Sequence, residues 1–239
     1  MLEHLLELRR RGIIIAASFL VWFVLFYTFS DEWFHLLIAP LLLALPQHDA
    51  LIATHVTTPV IIPITLAGNL ALFATTPLAL FHAFRFAAPG LYQNERRGLG
   101  VLIVVSMVLF VLGALFFFYG VLPFVLKLFV ASVPTGITLM PEIATTIEFI
   151  LRMMVLFGLC FQVPLICLLL VNTSLVSIDG LKTIRPYWIV AAFILGMLLT
   201  PPDVLSQITL AVPLCLLYEL GIVISNILDF GQQRSNTNR

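Results

Sequence analysis

The sequence predicts an all-α membrane protein of six transmembrane helices, with both termini on the cytoplasmic side. Three observations predict it. Of the 239 residues, 61% are hydrophobic and only 10% charged, which is more apolar surface than a water-soluble domain of this size can bury. The apolar residues gather in six continuous stretches and not in short alternating segments, so they read as helices and not as barrel strands. The basic residues fall mostly on one side of such a layout.

The chain begins MLEHLLELRRRG. Its two glutamates, and the lack of a small-residue cleavage site after the apolar run, argue against a signal peptide. Residues 1–11 are expected to be cytoplasmic, because Arg9, Arg10 and Arg11 hold the start of the following apolar run inside. Helices are expected at about 12–29, 59–84, 98–126, 143–170, 187–200 and 204–228, with a cytoplasmic tail at 229–239. The second contains Pro63 and Pro77, which kink a membrane helix without ending it when neighbours satisfy the freed carbonyls. The fifth is short: about 14 residues reach roughly 21 Å at the helical rise, less than a hydrocarbon core of about 30 Å. It stops at Pro201-Pro202-Asp203, and the sixth carries Pro213 and Glu219, so a locally thin membrane edge is expected around this pair.

With the N-terminus inside, ten of the twelve basic residues lie on the inner side: Arg9, Arg10, Arg11, Arg85, Arg96, Arg97, Lys182, Arg185, Arg234 and Arg239. Only Lys127 and Arg152 lie towards the outside, and an odd number of spans would weaken this asymmetry. The first outer loop, about 30–58, is too apolar for a free loop and reads as short cap helices punctuated by Pro40 and Pro46. The second, about 128–142, is similar in kind. No repeat or linker divides the chain, so a single polytopic domain is expected over 1–239.

The charge balance of 12 basic and 12 acidic residues argues against a nucleic-acid binder, which would show a basic stripe. No metalloprotease, nucleophile-elbow, Walker or dinucleotide motif occurs, and no histidines are spaced as a ligand pair on one helix. His82, near the inner end of the second run, reads as an interfacial side chain. Cys160, Cys167 and Cys215 sit in apolar runs and read as small buried hydrophobes. No catalytic residue, metal or cofactor is expected.

Two inner carboxylates draw attention, Glu7 in HLLELRRR and Glu95 in APGLYQNERRG. One reading is local pairing: Glu7 and Arg11 stand four residues apart, the spacing of a helical ion pair. The other is a grip on a cationic ligand, since a carboxylate binds a guanidinium fork bidentately and binds ammonium less well. A second group, Met197, Thr200 and Gln207, surrounds the Pro-Pro-Asp turn. There a plain outer turn capped by Asp203 competes with a hydrogen-bonding surface for another helix. Gln162 is a neutral polar group in mid-membrane and suits a bond to another helix. Arg152 is placed to pair with Glu148, and Glu219 suits a position facing protein or the inner interface.

Several stretches together resemble the TatC family, the signal-peptide receptors of the twin-arginine translocase. They are HLLELRRR at 4–11, IAP at 38–40, APGLYQNERR at 88–97, FQVP at 161–164, RPY at 185–187 and GMLLTPPDVLSQ at 196–207. The resemblance runs from His4 to about Phe230. It implies that Glu7 and Glu95 recognise the paired arginines of a signal peptide, with Leu8, Arg9, Arg11, Phe86, Arg96 and Arg97 in the same receptor surface. Phe86 also reads as an interfacial anchor. Pro40 and Asp203 fall on outer-loop positions that the family uses. Met197, Thr200 and Gln207 fall where the family docks the single-span TatB and TatA helices. Many members carry Glu where this chain has Gln162, so no role here depends on a buried negative charge. The implied activity is export of folded proteins across the bacterial inner membrane by a multimeric complex, driven by the protonmotive force. A small-solute transporter is the leading rival, but the midplane here is nearly charge-free.

Overall fold

The computed structural model describes residues 2–44, 51–53, 56–87, 96–131, 140–173, 175–199 and 204–237. Among them the chain is helical, with one isolated parallel bridge between Ile52 and Glu142 in place of a sheet. The described residues form nine α-helices in order: α1 Leu2–Thr28, α2 Ser30–Ala44, α3 Thr58–Ala87, α4 Arg96–Leu115, α5 Leu122–Ala131, α6 Ile143–Cys160, α7 Val163–Asn172, α8 Ile178–Leu199 and α9 Val204–Thr237. A π-helical segment, Phe116–Val121, joins α4 to α5.

Among the described residues, five helical stretches are long and apolar enough to cross a membrane: Leu6–Thr28, Thr58–Ala83, Gly100–Ala131, Ile143–Asn172 and Gln207–Ile227. Their outward faces are apolar. Leu20 and Val21 on α1, Val101 on α4 and Leu216 on α9 are all exposed, which suits lipid and not water as the surrounding solvent. The fifth expected span belongs to α8, whose first half carries Asp179, Lys182 and Arg185 and so falls short of a continuous apolar window.

Several elements extend past their expected limits, each for a local reason. α1 begins at Leu2 and not at residue 12, because HLLELRRR is made of good helix formers and pairs Glu7 with Arg11. α8 begins at Ile178 and not at 187. Ser177 caps it, its Oγ accepting from the Gly180 N–H at 3.0 Å, and Asp179 stands in its first turn. Pro186, deep inside α8, does not end it. α9 runs on to Thr237, through most of the expected tail. Pro40 does not punctuate a loop but lies within α2, just as Pro63 and Pro77 lie within α3.

Prolines also shape the two irregular joints. Pro123 has no N–H to offer the Tyr119 carbonyl, and its ring crowds the turn before it. The chain widens there: Leu122 N–H reaches the Phe117 carbonyl, a π-type bond. Pro164 acts likewise on the fourth run, which divides at Phe161-Gln162 into α6 and α7. The Gln162 N–H turns back tightly to the Leu159 carbonyl at 3.0 Å.

The chain forms two units. The first comprises Met1–Phe84 and Ala114–Leu156. In it α2 lies along α5. Trp33 of α2 meets Phe26 of α1 edge to face at 5.3 Å, and Leu37, Ile38 and Leu41 bury the inner stripe of α2. Ile52 is tied to the start of α6: its N–H donates to the Pro141 carbonyl and its carbonyl accepts from Ile143, both at 3.1 Å.

The second unit comprises Arg85–Gly113 and Phe157–Arg239. α9 is its spine, packed on both α7 and α8. Small residues allow close approach here. A Cβ on Gly221 of α9 would stand 3.0 Å from the Pro164 Cα. A Cβ on Gly113 of α4 would stand 2.5 Å from the Phe157 carbonyl oxygen and 2.9 Å from the Gly158 Cα. Glycine is therefore required where α4 crosses α6, the small-residue contact typical of membrane helices.

Candidate functional site

The N-terminal helix builds the first part of the site. Helical spacing brings Glu7 and Arg11 onto one face, one turn apart. Arg11 Nη2 donates to Glu7 Oε1. Arg11 Nη1 donates to the His82 main-chain carbonyl of α3 at 2.6 Å. The two ends of this ion pair differ in exposure: the Arg11 side chain is 13% exposed and that of Glu7 48%. Arg11 is thus sheltered and anchored to a second helix, while the Glu7 side chain is nearly half exposed. Leu8 and Arg9 beside it are exposed.

Glu95 lies outside the described residues. Arg96 and Arg97 open α4, and Phe86 lies in the last turn of α3, with side chains outside the described set. For Glu7, local pairing and ligand binding are the two alternatives that its sequence context allows. The geometry contains the local pair and leaves nearly half of the Glu7 side chain exposed.

The second expected group lies where α8 meets α9. Gln207 Nε2 donates to the Phe193 carbonyl at 2.9 Å, and its Cγ would lie 3.0 Å from a Cβ on Gly196. Gln207 thus ties α9 to α8. Met197 is 60% exposed and points outward from the same junction. Thr200 and Asp203 lie outside the described residues. Pro40 is half-buried within α2.

Gln162 finds the cross-helix partner expected of it. Ser106 Oγ donates to Gln162 Oε1 at 2.8 Å, and Gln162 Nε2 donates to the Ser106 carbonyl at 3.0 Å. Both residues are buried. Sequence reasoning misses Ser106, although one hydroxyl inside the run VLIVVSMVLF is its signal. Arg152 and Glu148 pair at 2.6 Å with both side chains exposed.

Glu219 takes Arg185 of α8 as its partner at 2.7 Å. Below them Trp188 stacks on Tyr218 with ring centres 4.9 Å apart, and Tyr218 donates to the Leu181 carbonyl at 2.8 Å. Arg185 of the RPY motif and Trp188 just after it therefore form, with Glu219 and Tyr218, a polar and aromatic seam between α8 and α9, which sequence spacing alone does not reveal. Among the described residues no cluster of His, Cys, Asp and Glu is arranged to hold a metal ion.

Known proteins share both this sequence and this fold. The family model described as Sec-independent protein translocase protein (TatC) matches residues 3–213. The TatC of Haemophilus influenzae is 40% identical over 225 residues, covering 94% of this chain and 88% of the relative. The TatC of Escherichia coli K12 is 37% identical over 225 residues, covering 94% and 87%. The TatC of Aquifex aeolicus is 34% identical over 227 residues, covering 94% of each. A crystal structure described as the twin-arginine translocase receptor TatC superposes with a TM-score of 0.84 at 34% identity, covering 94% of this chain and 98% of that one. The chain therefore belongs to the TatC family, as a multi-pass inner-membrane component of the Sec-independent protein translocase.

Proposed function

We propose that this chain is the receptor and assembly platform of a twin-arginine translocase. It binds the paired arginines of signal peptides at the cytoplasmic face through Glu7 and Glu95. It then gathers single-span TatB and TatA helices, and further copies of itself, so that folded cargo crosses on the protonmotive force. In this reading the chain is one polytopic domain of six spans with both ends inside. α8 and α9 are its short pair and α2 is part of an outer cap.

The observation that carries the proposal is the state of Glu7. Its carboxylate is oriented by Arg11 while nearly half of its side chain is exposed, at the start of a membrane helix. An oriented and accessible carboxylate suits a planar guanidinium, which it binds through two parallel charge-assisted hydrogen bonds. A twin-arginine ligand brings two such forks and needs two carboxylates, which is the part proposed for Glu95. The inner arginines add support through topology: ten of the twelve basic residues fall inside in the six-span layout. Exposed Met197 beside the Gln207 tie supports docking of a partner helix at the α8–α9 junction.

A pull-down separates this function from transport of a small solute. The full chain in detergent is offered a twin-arginine signal peptide and its twin-lysine variant. Retention of the first and loss of the second is expected, because lysine offers a point charge and not a fork. Equal retention of both contradicts the proposal.

A further inference from the structure

We infer that Arg11 is a positioning residue that orients Glu7 for the incoming guanidinium and does not itself touch the signal peptide. The inference rests on the receptor reading above and deepens it. A contact residue should present its charged group to the ligand, and Arg11 does the reverse. Its side chain is 13% exposed, against 48% for Glu7. One arm of its fork is committed to the His82 carbonyl of α3 at 2.6 Å, and another to Glu7 Oε1. That arrangement joins α1 to the backbone of α3 through a single planar group. It also fixes one Glu7 oxygen and leaves the rest of the carboxylate to accept from outside.

The physical gain is preorganisation. A glutamate free on a helix surface must give up rotamer freedom when it grips a ligand, and that loss is subtracted from affinity. Arg11 removes much of this freedom before the ligand arrives, and its anchor on α3 keeps Arg11 itself from moving. Only a fork serves both partners at once. A lysine ammonium has one nitrogen at the end of a flexible stem and cannot reproduce the two-armed bridge.

The test is a double-mutant cycle on the full chain in nanodiscs, read as affinity for a fluorescent twin-arginine peptide. Arg11→Gln is expected to weaken binding about three- to tenfold while Glu7 is present, and to have little further effect in the Glu7→Gln background, where Glu95 carries the residual binding. Arg11→Lys is expected to behave like Arg11→Gln, which guards against a failure peculiar to one substitution. Equal losses from Arg11→Gln in both backgrounds overturn the inference, because Arg11 then acts independently of Glu7. Wild-type affinity in both Arg11 variants overturns it as well. Failure of the receptor reading looks different: Glu7→Gln alone then leaves affinity unchanged, and the inference falls with it.

Discussion

Ser106 of α4 and Gln162 at the α6–α7 joint exchange two hydrogen bonds, at 2.8 and 3.0 Å, with both residues buried. The pair holds a break that Pro164 imposes on the fourth apolar run. Gln162→Leu leaves the Ser106 hydroxyl without this partner and is expected to cost about 1–3 kcal/mol, the usual penalty for a buried polar group losing its partner. Thermal unfolding in detergent measures it. Ser106→Ala combined with Gln162→Leu should cost less than the sum of the two changes, because one interaction is removed twice.

The α4–α6 crossing predicts a contrast between two glycines. Gly113→Val places a Cβ within 2.5 Å of the Phe157 carbonyl oxygen, so the helices must separate. Overpacking of this kind costs typically about 1–3 kcal/mol, and more where backbone is the obstacle. Gly100 on the same helix has open space where a Cβ would stand, with nothing within 4 Å, and Gly100→Ala should leave the melting temperature unchanged or higher.

The α8–α9 seam gives a graded series. Tyr218→Phe keeps the stack on Trp188 and loses the bond to the Leu181 carbonyl, for an expected loss of about 1 kcal/mol. Tyr218→Ala removes the stack as well and should cost clearly more. Equal losses for the two variants would show that the stack contributes nothing.

Docking and stability should separate at the same junction. Met197 is exposed, so Met197→Ala is expected to reduce crosslinking to a single-span partner helix without lowering the melting temperature. Gln207 ties α9 to the Phe193 carbonyl, so Gln207→Ala should lower both. A melting temperature lowered by Met197→Ala would place that side chain in the fold and not in docking.

The membrane class was legible because it depends on composition and on continuous apolar runs, which need no tertiary information. That the stretch after the first run is helical was legible from its leucines. Helix ends were less so. Reading the apolar runs alone cuts α1 at residue 12 and α8 at residue 187, but helix propensity and the Ser177 cap do not depend on apolarity and carry both further. The π-type turn before Pro123 was not anticipated, because the third run reads as one continuous apolar stretch. In the candidate site, Glu7 and Arg11 were legible as an i,i+4 pair, since helical geometry alone brings them together. The anchor on His82 was not, because a main-chain carbonyl carries no residue signature. Ser106, Arg185 and Tyr218 stayed unassigned for a related reason: their roles come from which helices touch.

The measurement that bears most directly on the receptor assignment is export of a folded twin-arginine cargo by cells whose only copy of this chain carries Glu7→Gln together with Glu95→Gln. The variant should reach wild-type abundance in the membrane, lose crosslinking to the signal peptide and leave the cargo in the cytoplasm. Normal export of folded cargo by that double variant would contradict the assignment.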